Sequence, residues 1–352
     1  MIAAAEFGPR LVAWQRAHGR HDLPWQRDRD PYRVWLSEIM LQQTQVATVL
    51  RYFERFVQRF PDVRALAAAE LDEVLALWSG LGYYRRARHL HQCARQLVER
   101  HGGEFPRDAL ALGALSGIGR STAAAIAAFS FGERAAILDG NVKRVLRRAF
   151  APTLRGHAVG SGAELRALWA LAQALLPLDG IDAYTQGLMD LGATVCRARR
   201  PDCDACPFAA DCPSRGVLGT PSPATARRSR ALASWVLLWA HDAATPRVWL
   251  ERRPASGIWP GLWCLPAHAS SDAALRQARE LGSVDAHAAL PARRHLLTHV
   301  ELELRPLRVA LTPRPRAADA TAGWFTLPEA LALGLPAPVR RLLATHPLRE
   351  LD

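Results

Sequence analysis

Four cysteines, Cys196, Cys203, Cys206 and Cys212, stand at the spacing C-x6-C-x2-C-x5-C. Four thiolates in one short segment can hold either a tetrahedral metal such as zinc or a cubane cluster, and the spacing admits both. Arg197, Arg199 and Arg200 lie inside the first loop, so a bound metal would also fix a basic surface able to meet phosphates. Cys93 and Cys264 stand apart, with no cysteine at ligand spacing. Upstream, the run LSGIGRSTAAAIAAF (115–129) places Gly117 and Gly119 in a tight turn at the start of a helix. The backbone N–H groups of such a turn point outward and bind a phosphate.

Two carboxylates complete the set. In YRVWLSEIMLQQTQVATVL (32–50) only Arg33 and Glu38 are charged. On a helix Trp35, Glu38, Gln42 and Gln45 share one face, which surrounds the carboxyl with polar but uncharged groups. Weak solvation raises a carboxyl pKa, so Glu38 is expected to hold a proton near neutral pH and to deliver it as a general acid. The plainer alternative is a solvent-facing helix glutamate. Asp139 opens LDGNVKRVL beside Gly140, just before a basic helical stretch, where it reads either as an N-cap or as a carboxylate with work of its own.

The elements that must position these residues divide in two. With 352 residues the chain is too long for one ordinary domain, and 49% apolar with 22% charged residues is a globular composition that excludes a disordered, collagen-like or coiled-coil chain. From Phe7 to about Val195, amphipathic helical stretches such as ELDEVLALWSG, ARHLHQCARQLVERHGG and AELRALWALAQALLP alternate with Gly, Pro and Asp breaks. PSRGVLGTPSPATARRSR follows with little to bury, so 213–230 is read as a linker between a helical domain, 1–212, and a second domain, 231–352. There LASWVLLWA, RVWLERR, GLWCLPA and HVELELRPLRVAL read as strands, with helical material at DAALRQARELG and APVRRLLATH. The second domain is therefore α+β. No apolar run is long enough to span a bilayer and no leader pattern opens the chain, so it is expected to be soluble and cytoplasmic. A net charge of +12 points to an anionic partner, nucleic acid first.

Taken in chain order, the glycine turn, then Asp139, then the cysteines resemble the endonuclease III superfamily of helix-hairpin-helix DNA glycosylases. WLSEIMLQQTQV and LWSGLGYYRRARHL (77–90) resemble its adenine-removing branch, the MutY type, almost residue for residue. The resemblance runs from about Trp14 to Cys212 and more loosely to near the C-terminus. It implies a [4Fe–4S] cluster on the four cysteines, and a monomeric enzyme acting on duplex DNA at adenine opposite 8-oxoguanine or guanine. It further implies Glu38 as the acid that protonates adenine and Asp139 as the carboxylate facing a cationic sugar. Trp25, Asn141 and Gln186 would border the base pocket, and Gln42 and Tyr83 would enter the stack beside the opposing base. Bifunctional relatives carry a lysine where this chain has Ser121, so water is the expected nucleophile. The second domain resembles a Nudix fold adapted to sensing 8-oxoguanine, with Thr298 and His299 as lesion readers. A hydrolase there is not expected, because RQARELGS offers Glu280 without the paired acidic residues of that chemistry. Two rival readings are a glycosylase/lyase for oxidised pyrimidines with Lys143 as the amine, which Ser121 and the second domain oppose, and an inert lesion-binding module, which the pairing of Glu38 with Asp139 opposes.

Overall fold

Val49, Phe53 and Phe56 recur at steps of four and three residues, which places them on one face of a helix, and all three are buried. Stripes of this kind build the first part of the molecule. The computed structural model describes residues 2–216, 231–242, 244–297, 299–315 and 319–345. Its helices, in order, are α1 (Ala4–His18), α2 (Pro31–Leu41), α3 (Val46–Arg59), α4 (Val63–Ala68), α5 (Leu71–Trp78), α6 (Arg85–His101), α7 (Ala109–Gly113), α8 (Arg120–Phe131), α9 (Gly140–Ala149), α10 (Gly162–Ala174) and α11 (Ile181–Asp190). At the centre Phe7 of α1 stacks on Phe208 of the cysteine segment, with ring centroids 4.5 Å apart, and meets Phe150 and Tyr184 edge-on at 5.3 and 6.3 Å. Each buried aromatic of this size contributes about 1.5–3 kcal/mol. The same packing anchors the cysteine segment to the helical core.

Contacts divide the chain into two units, Met1–Ala68 with His89–Ala224, and Ala69–Arg88 with Thr225–Asp352. The segment carrying α5 thus groups with the C-terminal part of the chain. Asp72 accepts from Arg252 at 2.5 Å and from the Trp263 indole at 3.2 Å, and Ser79 donates to the Leu335 carbonyl at 2.9 Å. Of the linker expected at 213–230, only 213–216 fall among the described residues.

The second unit is built on one sheet: β1 (Ala231–Asp242), β2 (Arg247–Arg252), β3 (Trp263–Cys264), β4 (Ala267–His268), β5 (Gly282–Ala289), β6 (Arg293–Leu296), β7 (Val300–Pro313) and β8 (Ala322–Thr326). The strand order is β3-β2-β1-β7-β5, with β4 also on β1, β6 on β7 and β8 on β2. β1 and β7 run parallel from Ala231↔Val300 to Asp242↔Leu311, and the remaining pairs are antiparallel. One face of these strands carries Val236, Leu238, Ala240, Leu307, Val309 and Leu311. It packs on Ala274, Ala278 and Leu281 of helix α12 (Ser271–Leu281). Two short helices, α13 (Leu327–Ala332) and α14 (Ala337–Thr345), follow β8. The helical first part and the α+β second part are the architecture expected from the sequence.

His299 was expected to begin the strand HVELELRPLRVAL, but β7 starts at Val300, and His299 is exposed in the turn leading from β6. The Leu297 amide donates to the Val300 carbonyl at 2.8 Å, closing a tight turn that leaves no ladder position for His299. Thr298 lies outside the described residues.

Candidate functional site

Glu38 lies on α2, whose N-terminus is capped by Asp30, with Pro31 at its first position; Tyr32 and Trp35 are buried on the core side of the same helix. This fixes the half-buried Glu38 toward a cavity of about 350 Å³ in the first unit, whose walls include Trp25, Ser37, Leu41, Phe129, Gln186 and Met189. Burial first, and the negative charge of Asp139 second, push its pKa from 4.5 up to about 8. The side chain therefore carries its proton at neutral pH.

The expected polar face of α2 does not form. The helix stops at Leu41; Gln42 is its C-cap and Gln43 adopts φ +57°, so Gln42 and Gln45 leave the helical register of Glu38, and Gln45 caps the next helix, α3. Trp35 is fully buried and packs edge-on against Phe105 at 5.5 Å. On the helix itself, Glu38 shares the cavity wall with Val34, Ser37 and Leu41. Burial, rather than a glutamine face, accounts for the raised pKa. Gln42 instead reaches Thr122 of α8 at 3.4 Å.

Asp139 takes the N-cap position that its sequence context offers, within electrostatic reach of Glu38. Its Oδ1 accepts from the Val142 amide at 2.7 Å and caps α9, while its charge reaches Glu38. The residue before it is held from α8, where the Ser121 hydroxyl oxygen accepts from the Leu138 amide at 2.9 Å. Ser121 is thus a spacer under the Asp139 turn. Lys143 follows on α9, its amide donating to the Asp139 carbonyl.

The glycine turn connects α7 to α8. Ile118 is buried while Gly117 and Gly119 are exposed, so the backbone is presented outward. Gly117 has φ +76°, and a Cβ there would lie 2.6 Å from the Cβ of His89. Only glycine fits. Ser116 is pinned by α6, its hydroxyl donating to Gln92 at 2.9 Å and its amide to Gln96 at 2.9 Å.

Trp25 and Gln186, both nearly buried, are on the cavity wall with Glu38. Asn141 is not; its Oδ1 accepts from Arg144 at 2.8 Å and its Cβ packs against Gly192. Tyr83 belongs to the other unit, at the end of a turn with Gly80 and Gly82 also at positive φ; it is 45% exposed at φ +49°, with the Arg86 guanidinium over its ring at 5.5 Å. Sequence reasoning missed Arg20 and Asp190, which meet beside Gln186 through contacts 170 residues apart that no periodicity reveals.

The four cysteines line one recess of about 30 Å³, together with Arg148. Two arginines of α9 shape it: Arg144 donates to the carbonyls of Cys196 and Gly192 at 2.8 and 2.6 Å, and Arg148 donates to the carbonyls of Arg197 and Ala198 at 2.8 and 3.0 Å. Burial pushes the Cys206 thiol up to about 11 and raises that of Cys203, with the other cysteine sulfurs adding to both shifts. Among the described residues no three His, Cys, Asp or Glu side chains stand close enough to hold a single ion. Four cysteine thiols lining one recess, with the Arg148 guanidinium 3.4 Å from the Cys196 sulfur, supply a thiolate donor set that a metal centre can take.

A model of the HhH-GPD superfamily of base excision DNA repair proteins matches residues 36–170, and a NUDIX domain model matches residues 234–345. An adenine DNA glycosylase of Buchnera aphidicola subsp. Schizaphis graminum is 32% identical over 344 residues, covering 96% of this chain and 97% of the relative. That of Rattus norvegicus is 34% identical over 387 aligned residues, covering 92% and 74%. Among solved structures, a thermostable thymine-DNA glycosylase superposes with a TM-score of 0.55 at 28% identity, covering 61% of this chain and 97% of that one.

Proposed function

This chain belongs to the adenine DNA glycosylase family, and from that premise we propose that it hydrolyses the N-glycosidic bond of adenine mispaired with 8-oxoguanine, using Glu38 as the acid. Removal of adenine in base excision repair is the activity of the family; the opposing lesion and the residue roles are our reading. One observation carries it: Glu38 faces a cavity with a pKa of about 8 while Asp139 stands near enough to add to that shift.

An adenine inside duplex DNA is out of reach and must be extruded at a cost of a few kcal/mol, least at a mispair. Departing as an anion it leaves poorly. A proton from the Glu38 carboxyl to a ring nitrogen makes it a neutral leaving group, and the glutamate left behind, together with Asp139, offsets the positive charge that grows on the sugar. Water attacks, since the Ser121 hydroxyl has no amine chemistry and holds the Leu138 amide. Trp25 and Gln186 serve as walls of the base pocket, Gln42 and Tyr83 as residues entering the stack, and the amides around Gly117 and Gly119 as the phosphate seat, which positions the duplex without reading sequence. The protein is read as acting alone, as a monomer, at the nucleoid. Single-turnover base release tests this reading through its pH dependence. Because Glu38 must be protonated, the rate is expected to fall about tenfold per pH unit above about 8. A rate undiminished at pH 9.5 would contradict it.

Cys196, Cys203, Cys206 and Cys212 would hold a [4Fe–4S] cluster, whose chemistry here is charge and cross-linking. Arg144 and Arg148 shape the loop around it, and Arg197, Arg199 and Arg200 are exposed beside it. Purified protein is expected to carry about four irons and four sulfides per chain and to lose them in Cys206→Ser. Stoichiometric zinc after iron-replete anaerobic expression would overturn the assignment. Cys93 and Cys264 are buried, with thiols pushed up to about 12, and should be dispensable for iron.

Adenine is an undamaged base, so the signal for its removal must come from the opposite strand. 8-Oxoguanine differs from guanine by an N7 hydrogen and an O8, groups that a hydroxyl and an imidazole can read for about 1–3 kcal/mol each. The exposure of His299 in its turn supports assigning Thr298 and His299 to that task. Replacing both by alanine is expected to lower the preference for 8-oxoguanine over guanine at least about tenfold while single-turnover excision at saturation changes less. Unchanged preference would remove the sensing role from residues 231–352. Point substitution is the right probe, because cutting the chain near residue 225 would also strip α5 of Arg252, Trp263 and Leu335.

A further inference from the structure

Asp190 ends α11 with its side chain 1% exposed and three donors around it. The Arg20 amide donates to Oδ2 at 2.9 Å, Arg20 Nε to Oδ1 at 2.7 Å, and Gln186 Nε2 to Oδ1 at 2.8 Å. The chemistry of the group settles the amide of Gln186: a carboxylate paired with a guanidinium only accepts, so the end of the amide beside it is the NH2. Gln186 lines the cavity, and among the described residues nothing donates to its Oε1.

Arg20 is delivered by the turn after α1. Gly19 leaves the helix with its amide on the Gln15 carbonyl at 2.7 Å, and a Cβ at Gly19 would lie 2.5 Å from that same oxygen. The Arg20 carbonyl in turn accepts from Gln26 at 3.1 Å, next to Trp25. The backbone of Arg20 is therefore fixed on both sides, and its guanidinium holds a carboxylate that cannot turn.

We infer that Asp190 and Arg20 are positioning residues that lock the Gln186 amide with its carbonyl oxygen available to the base, so that the cavity selects a purine bearing an amine at C6 over one bearing an oxo group. The inference rests on the assignment of this cavity to the extruded base. An exocyclic amine donates to Oε1. A 6-oxo purine sets one acceptor against another and leaves both without a hydrogen, the kind of mismatch that costs far more than a lost contact.

The test compares single-turnover release of adenine and of hypoxanthine, each opposite the same base, by the full-length protein and its variants. Asp190→Asn keeps the shape but leaves one oxygen where two served these donors, so residue 190 no longer holds the Gln186 amide in a single orientation and its NH2 can turn toward the base. The adenine-over-hypoxanthine ratio is then expected to fall at least about tenfold, with Asp190→Glu retaining more of it. Arg20→Gln, at a side chain 27% exposed and so more tolerant of replacement, loosens the carboxylate and should shift the ratio in the same direction; it decides the matter if Asp190→Asn does not fold. If both substrates slow by the same factor, the pair only supports the fold and the inference fails. Gln186→Ala separates the premises. If it leaves adenine release intact, the cavity is not the base site; if it impairs release while the ratio in Asp190→Asn is unchanged, the orientation argument alone falls.

Discussion

Glu38→Gln is expected to lower single-turnover release of adenine by about 10²–10⁴-fold while binding of the mispaired duplex is retained. The amide has the size of the carboxyl but no proton to give at neutral pH. Stability should hold or rise, because glutamine removes a group whose ionised form is penalised by burial and by the charge of Asp139. Loss of the alkaline limb of the pH profile in whatever activity remains would identify Glu38 as the group titrating near 8. Excision by this variant at near wild-type rate would mean that another residue supplies the proton.

Asp139→Asn is expected to cost about 10²–10³-fold in the same assay, the magnitude typical of removing one preorganised electrostatic stabiliser. Asparagine is as good an N-cap as aspartate, so the bond to the Val142 amide and the start of α9 should survive, and the loss reports the missing charge rather than a frayed helix. Alanine would confuse the two by adding about 1 kcal/mol of lost capping. A second effect has a definite sign. Asp139 raises the pKa of Glu38, so neutralising it lowers that pKa, and the alkaline fall in residual activity should move to lower pH. A limb that stays in place would show that the two carboxylates do not sense each other.

The sequence made the fold class legible because period and composition change together after the cysteines. It was less informative where one residue controls geometry. Glu38 stood out as a lone acid in a neutral stretch, and the structure brings it to one cavity with Trp25 and Gln186; yet the face proposed for it failed, because Gln43 enters the left-handed region and stops α2 after Leu41. β5, GSVDAHAA, has one β-branched residue and is mostly exposed, so nothing in its pattern marks a strand; it forms because β7 offers it a ladder from Pro313 to Leu307. The ties of Arg144 and Arg148 to the cysteine loop, and of Arg20 to Asp190, cross 48 to 170 residues and have no local signature. α5 reads as one more helix of the first domain, and it is Arg252, Trp263 and Leu335 that reveal where Asp72 and Ser79 find partners.

Hydrolytic removal of adenine can be tested in one incubation. Wild-type protein is mixed with a duplex carrying a single adenine opposite 8-oxoguanine. Free adenine is measured directly, the labelled strand is examined before and after hot alkali, and a parallel sample is treated with borohydride. With Glu38 as acid, water as nucleophile and Ser121 where an amine would stand, free adenine should appear in step with strand breaks that require the alkali, and borohydride should trap no protein on the DNA. Strand cleavage without alkali together with a trapped covalent complex would mean that an amine, Lys143 first, attacks the sugar; an intact duplex with no adenine released would mean that the chain binds the mispair without acting on it.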